Sequence, residues 1–469
     1  MTGPLWVDLG PDQAHPIDLR WVDEMMASAR PHLMVRPADE LLILVPNTPL
    51  KVNGTALRLL GAMLDEGLGI AEVLNREGDR PARRREIHSF FTDLAAWLNG
   101  TLGEGVGRRA VVHEPFTAEF CTYPVLAEVA LTYRCNLSCG FCYAGCGVGA
   151  LPEGWSEGRV MGDDEVCRVL DVIRNDAHCP SVSFTGGEPT LRRGLERFVR
   201  HAKGLGLKVN LISNGQRLDA GQATGLAEAG LDSAQLSLEG PSAAVHDAQV
   251  ARTGAFDRLW ESVAGLRSHG IRVHTNTTLN RSNLAHAPEI IDLIAARGLD
   301  RLTMNLVIPC GTAGNDPSLA ISYSEIGEHV LRLRDRAEDR GVELIWYSPL
   351  PLCLLNTIAH GLGYRGCAAA DGLLHVNPAG DVLPCSSFSH DETLGNLLRD
   401  PFDEVWQSRA ARFCRAKQMM PPACHHCPEA AACQGACVLY WRELGFAELG
   451  GASDGRPPLP PGFGAKGAD

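Results

Sequence analysis

VLAEVALTYRCNLSCGFCY, residues 125 to 143, is the stretch on which the reading turns. Its first half is a short apolar run with β-branched members, the pattern of a buried strand. Its second half places Cys135, Cys139 and Cys142 on the loop that leaves that strand. Three thiolates on one loop can hold three corners of an iron–sulfur cubane and leave the fourth iron open. A zinc knuckle competes with this reading. Zinc, however, favours four ligands in paired short-spaced units, and the nearest further thiol is Cys146.

Outward from this loop the chain alternates strand and helix to about residue 320. The strands are VLAEVALTY, SVSFTGG, KVNLISNG, SAQLSLEG, RVHTNTTL and RLTMNLVIP. Between them run DDEVCRVLDVIRN, LERFVRHAKGLG, AFDRLWESVAGLRSHG and APEIIDLIAARG, which carry helical apolar spacing. Such alternation predicts an α/β fold with a parallel sheet and right-handed crossovers. Six units predict a partial (β/α)6 TIM-type barrel over residues 116–350, with its chemistry at the carboxyl ends of the strands. Thr185-Gly186-Gly187-Glu188-Pro189 stands at one such end, and two glycines there let backbone approach a ligand closely. A plain strand–helix turn would read the same way. Asn214 and Ser237 end the next two strands as ligand contacts or as caps. His246 reads as structural, and no residue stands out as catalytic.

Residues 351–445 are rich in cysteine and turns, which predicts a small domain held by metal rather than by a large core. Cys367 is followed by twelve residues, Gly380, four residues and Cys385; then come Cys424, Cys427, Cys433 and Cys437 at short fixed spacings. The alternative here is a structural zinc ribbon. Residues 446–469, rich in Gly and Pro, read as a loose tail.

Residues 1–115 read as a separate winged-helix-like domain. LLILVP and LKVN are its strands; TALRLLGAM, GIAEVLNRE and IHSFFTDLAAWLNG are its helices. LNGTLGEGVGRR is the expected linker to the barrel.

Bulk properties limit the function. The chain has 469 residues, 43 basic against 56 acidic, for a net charge of −13, which provides no field for nucleic acid and no polybasic membrane patch. No apolar run approaches the roughly 20 residues that span a bilayer. The amino-terminal stretch lacks the basic and apolar regions of a signal peptide, so a cytoplasmic location is expected. Sixteen cysteines in a reducing compartment point to metal ligation rather than disulfides.

CNLSCGFCY, with Tyr143 beside its third cysteine, resembles the cluster loop of the radical S-adenosylmethionine (SAM) superfamily, and TGGEP matches that family's GGE motif. The resemblance implies a [4Fe–4S] cluster on Cys135, Cys139 and Cys142 whose open iron chelates the amino and carboxylate groups of SAM. It implies backbone contact with the SAM amino group at Gly186, Gly187 and Glu188. Tyr143, Asn214 and Ser237 are further candidate cofactor contacts. Reductive cleavage of SAM to a 5′-deoxyadenosyl radical is the implied chemistry.

The carboxyl-terminal cysteines resemble the SPASM extension of that family, which carries two auxiliary clusters, expected as [4Fe–4S]. By resemblance Cys367, Cys385 and Cys437 hold the first, and Cys424, Cys427 and Cys433 the second. The family's further cysteine downstream is missing here, which leaves the second cluster to an open iron or to a ligand such as Asp454, Glu448 or His425. For the fourth ligand of the first cluster, Cys353 is the best-placed candidate.

LLILVP, LKVNGTA, GIAEVL and the amphipathic helix after them resemble the PqqD-like leader-binding domain of ribosomal-peptide modification systems. Such a domain adds a peptide as an extra strand. The alternative is a winged helix that only packs or binds DNA, and the acidic balance argues against DNA. Together the resemblances imply a radical SAM/SPASM enzyme that modifies a peptide bearing a leader sequence, fed by a reductase, flavodoxin or ferredoxin. The same chemistry on a porphyrin-type cofactor precursor, or on a protein side chain as in sulfatase maturation, is the competing expectation.

Overall fold

A computed structural model describes residues 17–100, 121–450 and 455–463. Most of the expected linker, Asp454 and parts of the tail lie outside these residues. The chain divides into two compact units, residues 1–115 and 116–469.

The first unit holds a three-stranded antiparallel sheet, β1 (Leu33–Arg36), β2 (Leu41–Leu44) and β3 (Thr48–Lys51), in that order. The apolar run Leu41–Ile43 is fully buried because β2 is the central strand. Helices Gly54–Leu64, Ile70–Glu77 and Pro81–Leu98 follow. Asn53 caps the first of these, its side chain accepting from the Ala56 amide at 2.9 Å. Leu59, Leu60, Val73, Leu74, Phe91 and Leu94 form the core with Leu42. The helix Arg20–Ala29 and strand β1 precede these elements and were not part of the sequence expectation. A buried bidentate pair, Arg36 with Asp39 at 2.9 Å, braces the β1–β2 connection.

In the second unit β4 (Leu126–Ala130), β5 (Ser181–Thr185), β6 (Lys208–Ser213), β7 (Ser233–Ser237), β8 (Arg272–Leu279) and β9 (Arg301–Leu306) form a parallel sheet in chain order. These are the six strands expected from sequence. Two more parallel strands extend the sheet: β10 (Glu343–Trp346) pairs with β9, and β11 (Leu373–Val376) pairs with β4. Strands β12 (Asp381–Leu383) and β13 (Gly395–Asn396) then continue antiparallel. Helices between the strands bury Val169, Leu170, Phe198, Val199, Leu259 and Ile290 against the sheet.

The cysteine-rich region is also built onto the barrel: β11 extends the barrel sheet, and Trp406, Tyr440 and Trp441 join the barrel core. Sparse periodicity hid these residues, since each aromatic side chain buries a large area without needing a repeating apolar pattern. Part of the tail packs too: Pro457 and Pro460 are buried, and Phe463 meets Phe388 edge-on at 6.2 Å.

Candidate functional site

The loop carrying Cys135, Cys139 and Cys142 leaves the carboxyl end of β4 and is held from two sides. On one side lies the turn after β5. The Gly187 amide donates to the Thr132 carbonyl at 2.7 Å and the Glu188 amide to the Arg134 carbonyl at 2.9 Å. A Cβ on Gly186, whose φ is +136°, would collide with the Thr132 carbonyl; one on Gly187 would lie 2.8 Å from the Tyr133 carbonyl oxygen. The two glycines therefore serve the passage of one backbone segment against another. Sequence reading linked them to ligand approach or to a plain strand–helix turn. With both amides used, the Gly186 and Gly187 carbonyls receive no donor among the described residues and remain available to accept.

Glu188 is fully buried. Its Oε2 accepts from the Asn214 amide at 2.8 Å, and its Oε1 accepts from the Ser213 hydroxyl at 2.8 Å and from the Thr190 hydroxyl and amide at 2.6 and 3.0 Å. Burial raises the carboxyl pKa and these donors oppose the rise. With both oxygens committed to protein donors, this side chain positions rather than binds. Asn214, so fixed, turns its side-chain amide onto Asn136 Oδ1 at 2.8 Å and towards Cys135 Sγ at 3.8 Å.

On the other side lies the segment after β9. The Thr312 amide donates to the Cys142 carbonyl at 2.8 Å. Gly311, φ +56°, has no room for a Cβ, which would sit 2.6 Å from that same oxygen.

The loop also aims backbone amides at its sulfurs. Those of Asn136 and Leu137 point at Cys135, and those of Ala144, Gly145 and Cys146 at Cys142. Amides directed at thiolates are how proteins support iron–sulfur clusters. Burial pushes the Cys135 thiol up to about 11 and raises Cys139 as well. The Cys146 thiol donates to the Ala144 carbonyl at 3.9 Å, and its closeness to Cys142 lowers the pKa of Cys142. Tyr143 is half-buried, and desolvation raises its pKa, with the charges of Glu128 and Cys142 adding to the rise. Ser237 ends β7 half-buried.

One residue of this site was quoted but not singled out from sequence. Glu239, two positions past β7, is buried and near Cys139, whose pKa its charge raises after burial. Burial pushes the Glu239 carboxyl up to about 8, opposed by the Thr278 amide, which donates to it at 2.9 Å. Its own amide donates to His246 Nδ1 at 3.0 Å, and His246 is buried. That single bond gives the lone histidine its structural role.

The remaining cysteines fall into two groups. Cys385 and Cys437 lie within buried surroundings and feel the thiols of Cys367 and Cys310, which raise them further after burial. The Ser387 amide supports Cys385, and those of Leu439 and Tyr440 support Cys437. Lys417, itself buried, donates to the Cys367 carbonyl and to Asp371, both at 2.7 Å. Cys424, Cys427 and Cys433 form the second group. Burial pushes Cys424 up to about 11, with Cys433, Cys353 and Cys427 adding to the rise.

Cys353, expected beside Cys367, Cys385 and Cys437, directly follows Leu352, whose amide donates to the Cys433 sulfur at 3.3 Å. The turn at 351–355 folds the chain back towards Cys433, a return that residue spacing does not reveal. Glu448 accepts from the Ser324 amide at 2.7 Å and from the Tyr440 hydroxyl, so its carboxylate is already committed. Among the described residues no three His, Cys, Asp or Glu side chains gather as they would round a single metal ion. In a cubane each thiolate takes a different iron.

Comparison with known proteins agrees with this geometry. Residues 129–294 match the model of the radical SAM superfamily, and residues 367–428 match the SPASM model, an iron–sulfur cluster-binding domain. The chain is 28% identical over 329 residues to an AdoMet-dependent heme synthase of Oleidesulfovibrio alaskensis, covering 65% of this chain and 80% of that protein. It is 30% identical over 325 residues to a PqqA peptide cyclase of Streptomyces rochei, covering 66% and 83%. In fold it resembles SuiB of Streptococcus suis, solved with its precursor peptide SuiA, at a TM-score of 0.63 and 15% identity over 87% of this chain and 95% of SuiB. It also resembles anSMEcpe with bound AdoMet, at a TM-score of 0.54 and 19% identity over 71% and 93%. The chain belongs to the radical SAM superfamily, in its SPASM branch, and is an enzyme whose cofactors are SAM and iron–sulfur clusters.

Proposed function

We propose that this enzyme modifies a ribosomally made peptide, with Cys135, Cys139 and Cys142 as ligands of the SAM cluster and the carboxyl-terminal cysteines as ligands of two auxiliary clusters. When bound there, SAM supplies a 5′-deoxyadenosyl radical that abstracts hydrogen from the substrate. The protein's share is placement. Glu188 fixes Asn214, which braces the loop at Asn136. The Gly186 and Gly187 carbonyls are left to accept from the SAM amino group. An external reductase, flavodoxin or ferredoxin supplies the electron.

The observation that carries the peptide reading is the amino-terminal unit. Its sheet has β1 and β3 as outer strands, and among the described residues neither pairs with a further strand on its outer side. Strand β3 is the more exposed of the two. An open edge receives an extended peptide through backbone hydrogen bonds, and side-chain pockets add selectivity. Similarity to PqqA peptide cyclases supports the same substrate class.

Similarity to heme synthases favours a second reading, the same radical chemistry on a porphyrin-type precursor. Binding separates the two. A short peptide encoded beside the gene is titrated into the full-length enzyme and into a variant with Lys51→Pro in β3, whose backbone amide faces away from β2. The peptide reading predicts binding by the first and at least about tenfold weaker binding by the second, equal to a loss of about 1.4 kcal/mol. No binding by the intact enzyme contradicts it.

A further inference from the structure

We propose that Cys353 is the fourth thiolate of the second auxiliary cluster, supplied from upstream of Cys424, Cys427 and Cys433. This assignment rests on the reading of Cys424, Cys427 and Cys433 as cluster ligands.

Three observations converge on it. The Leu352 amide, one residue before Cys353, donates to the Cys433 sulfur at 3.3 Å, so the two chain segments meet at this point. An amide aimed at a sulfur is the support a cluster thiolate receives. The meeting is built in: the Leu354 and Leu355 amides close a turn on the Pro351 carbonyl at 2.9 and 3.0 Å. Leu355 is buried, and its Cβ would lie 3.6 Å from a Cβ on Gly327 of the helix Tyr323–Asp339. The turn is therefore anchored to the barrel and holds Cys353 at the second group.

The chemistry suits a cubane. Four thiolates satisfy all four irons of a [4Fe–4S] cluster and leave no coordination site open to solvent or substrate. The second auxiliary cluster would then transfer electrons and take no part in substrate binding. The alternatives among side chains are weaker, since the Glu448 carboxylate is committed to Ser324 and Tyr440.

The test is iron counting and EPR of the reduced clusters on full-length, anaerobically reconstituted protein. The variants are Cys353→Ala, Cys424→Ala and Cys367→Ala, with the doubles Cys353→Ala/Cys424→Ala and Cys353→Ala/Cys367→Ala. Wild type should hold about twelve irons, four per cubane. Cys353→Ala and Cys424→Ala should alter the same EPR signal, and their double should lose no more than about four irons. Combined with Cys367→Ala, the Cys353 change should disturb a second, separate signal. Cys353→Ser retains an oxygen ligand, and it should keep the iron while shifting the signal that Cys424→Ala alters. A Cys353→Ala protein with full iron and wild-type signals overturns the assignment, as does a change confined to the signal that Cys367→Ala alters. Wild-type protein with zinc in place of auxiliary iron would defeat the cluster reading itself, a distinct result.

Discussion

The Glu188 carboxylate accepts from the Asn214 amide at 2.8 Å inside the barrel and so ties the turn after β5 to the end of β6. Both elements brace the cysteine loop, Glu188 through its own amide on Arg134 and Asn214 through Asn136. Glu188→Ala would leave the Ser213, Asn214 and Thr190 donors unpaired. A buried donor without a partner costs about 1–3 kcal/mol. We expect a loss of at least about 3 kcal/mol in unfolding free energy, read from the urea midpoint. Unchanged stability would show that water replaces the carboxylate without cost.

Gly311 is held against the carbonyl of Cys142 by the geometry of two loops. Gly311→Ala puts a methyl group into that contact at a φ of +56°. Strain of this kind costs about 1–3 kcal/mol, and moving the cysteine loop relieves it. The expected result is loss of the SAM cluster, about four irons of about twelve, with the auxiliary EPR signals intact.

Changing Cys135, Cys139 and Cys142 to Ala together should abolish 5′-deoxyadenosine formation and leave about eight irons in the protein. Iron content by colorimetry and chromatography of the nucleoside products check both halves. Undiminished 5′-deoxyadenosine would remove these residues from the reaction.

His246 carries a pH signature. Burial lowers its pKa from 6.5 to about 4. Between those values the unfolded chain binds the proton and the folded chain does not, so stability falls as pH drops through that window. The contribution is at most about 3 kcal/mol. Asn can accept from the Glu239 amide as Nδ1 does, so His246→Asn should show a flatter stability profile between pH 6.5 and 4 than wild type. Parallel profiles would assign the acid sensitivity to other groups.

Much of this architecture was legible in the sequence because it follows local rules. Alternating strands and helices identified β4 to β9, and fixed cysteine spacing identified the loop after β4. Illegible features depend on contacts far apart in the chain. β11 joins β4 across more than two hundred residues, and four apolar or polar letters, LLHV, carry no mark of that partner. Glu239 looked like an ordinary strand-end residue until burial placed it near Cys139. The turn at Pro351, which brings the Leu352 amide to the Cys433 sulfur, leaves no mark in cysteine spacing. Nor does the sequence show that backbone at Thr132, Tyr133 and Arg134 crowds the glycines of TGGEP.

The most direct test of peptide modification joins product to cofactor use. Full-length reconstituted enzyme is incubated anaerobically with SAM, a reductant and the short peptide encoded beside its gene, and separately with a porphyrin-type precursor. The account predicts a mass change in the peptide, accompanied by about one 5′-deoxyadenosine per hydrogen abstracted, and no change in the tetrapyrrole. An unaltered peptide together with a modified tetrapyrrole would contradict it.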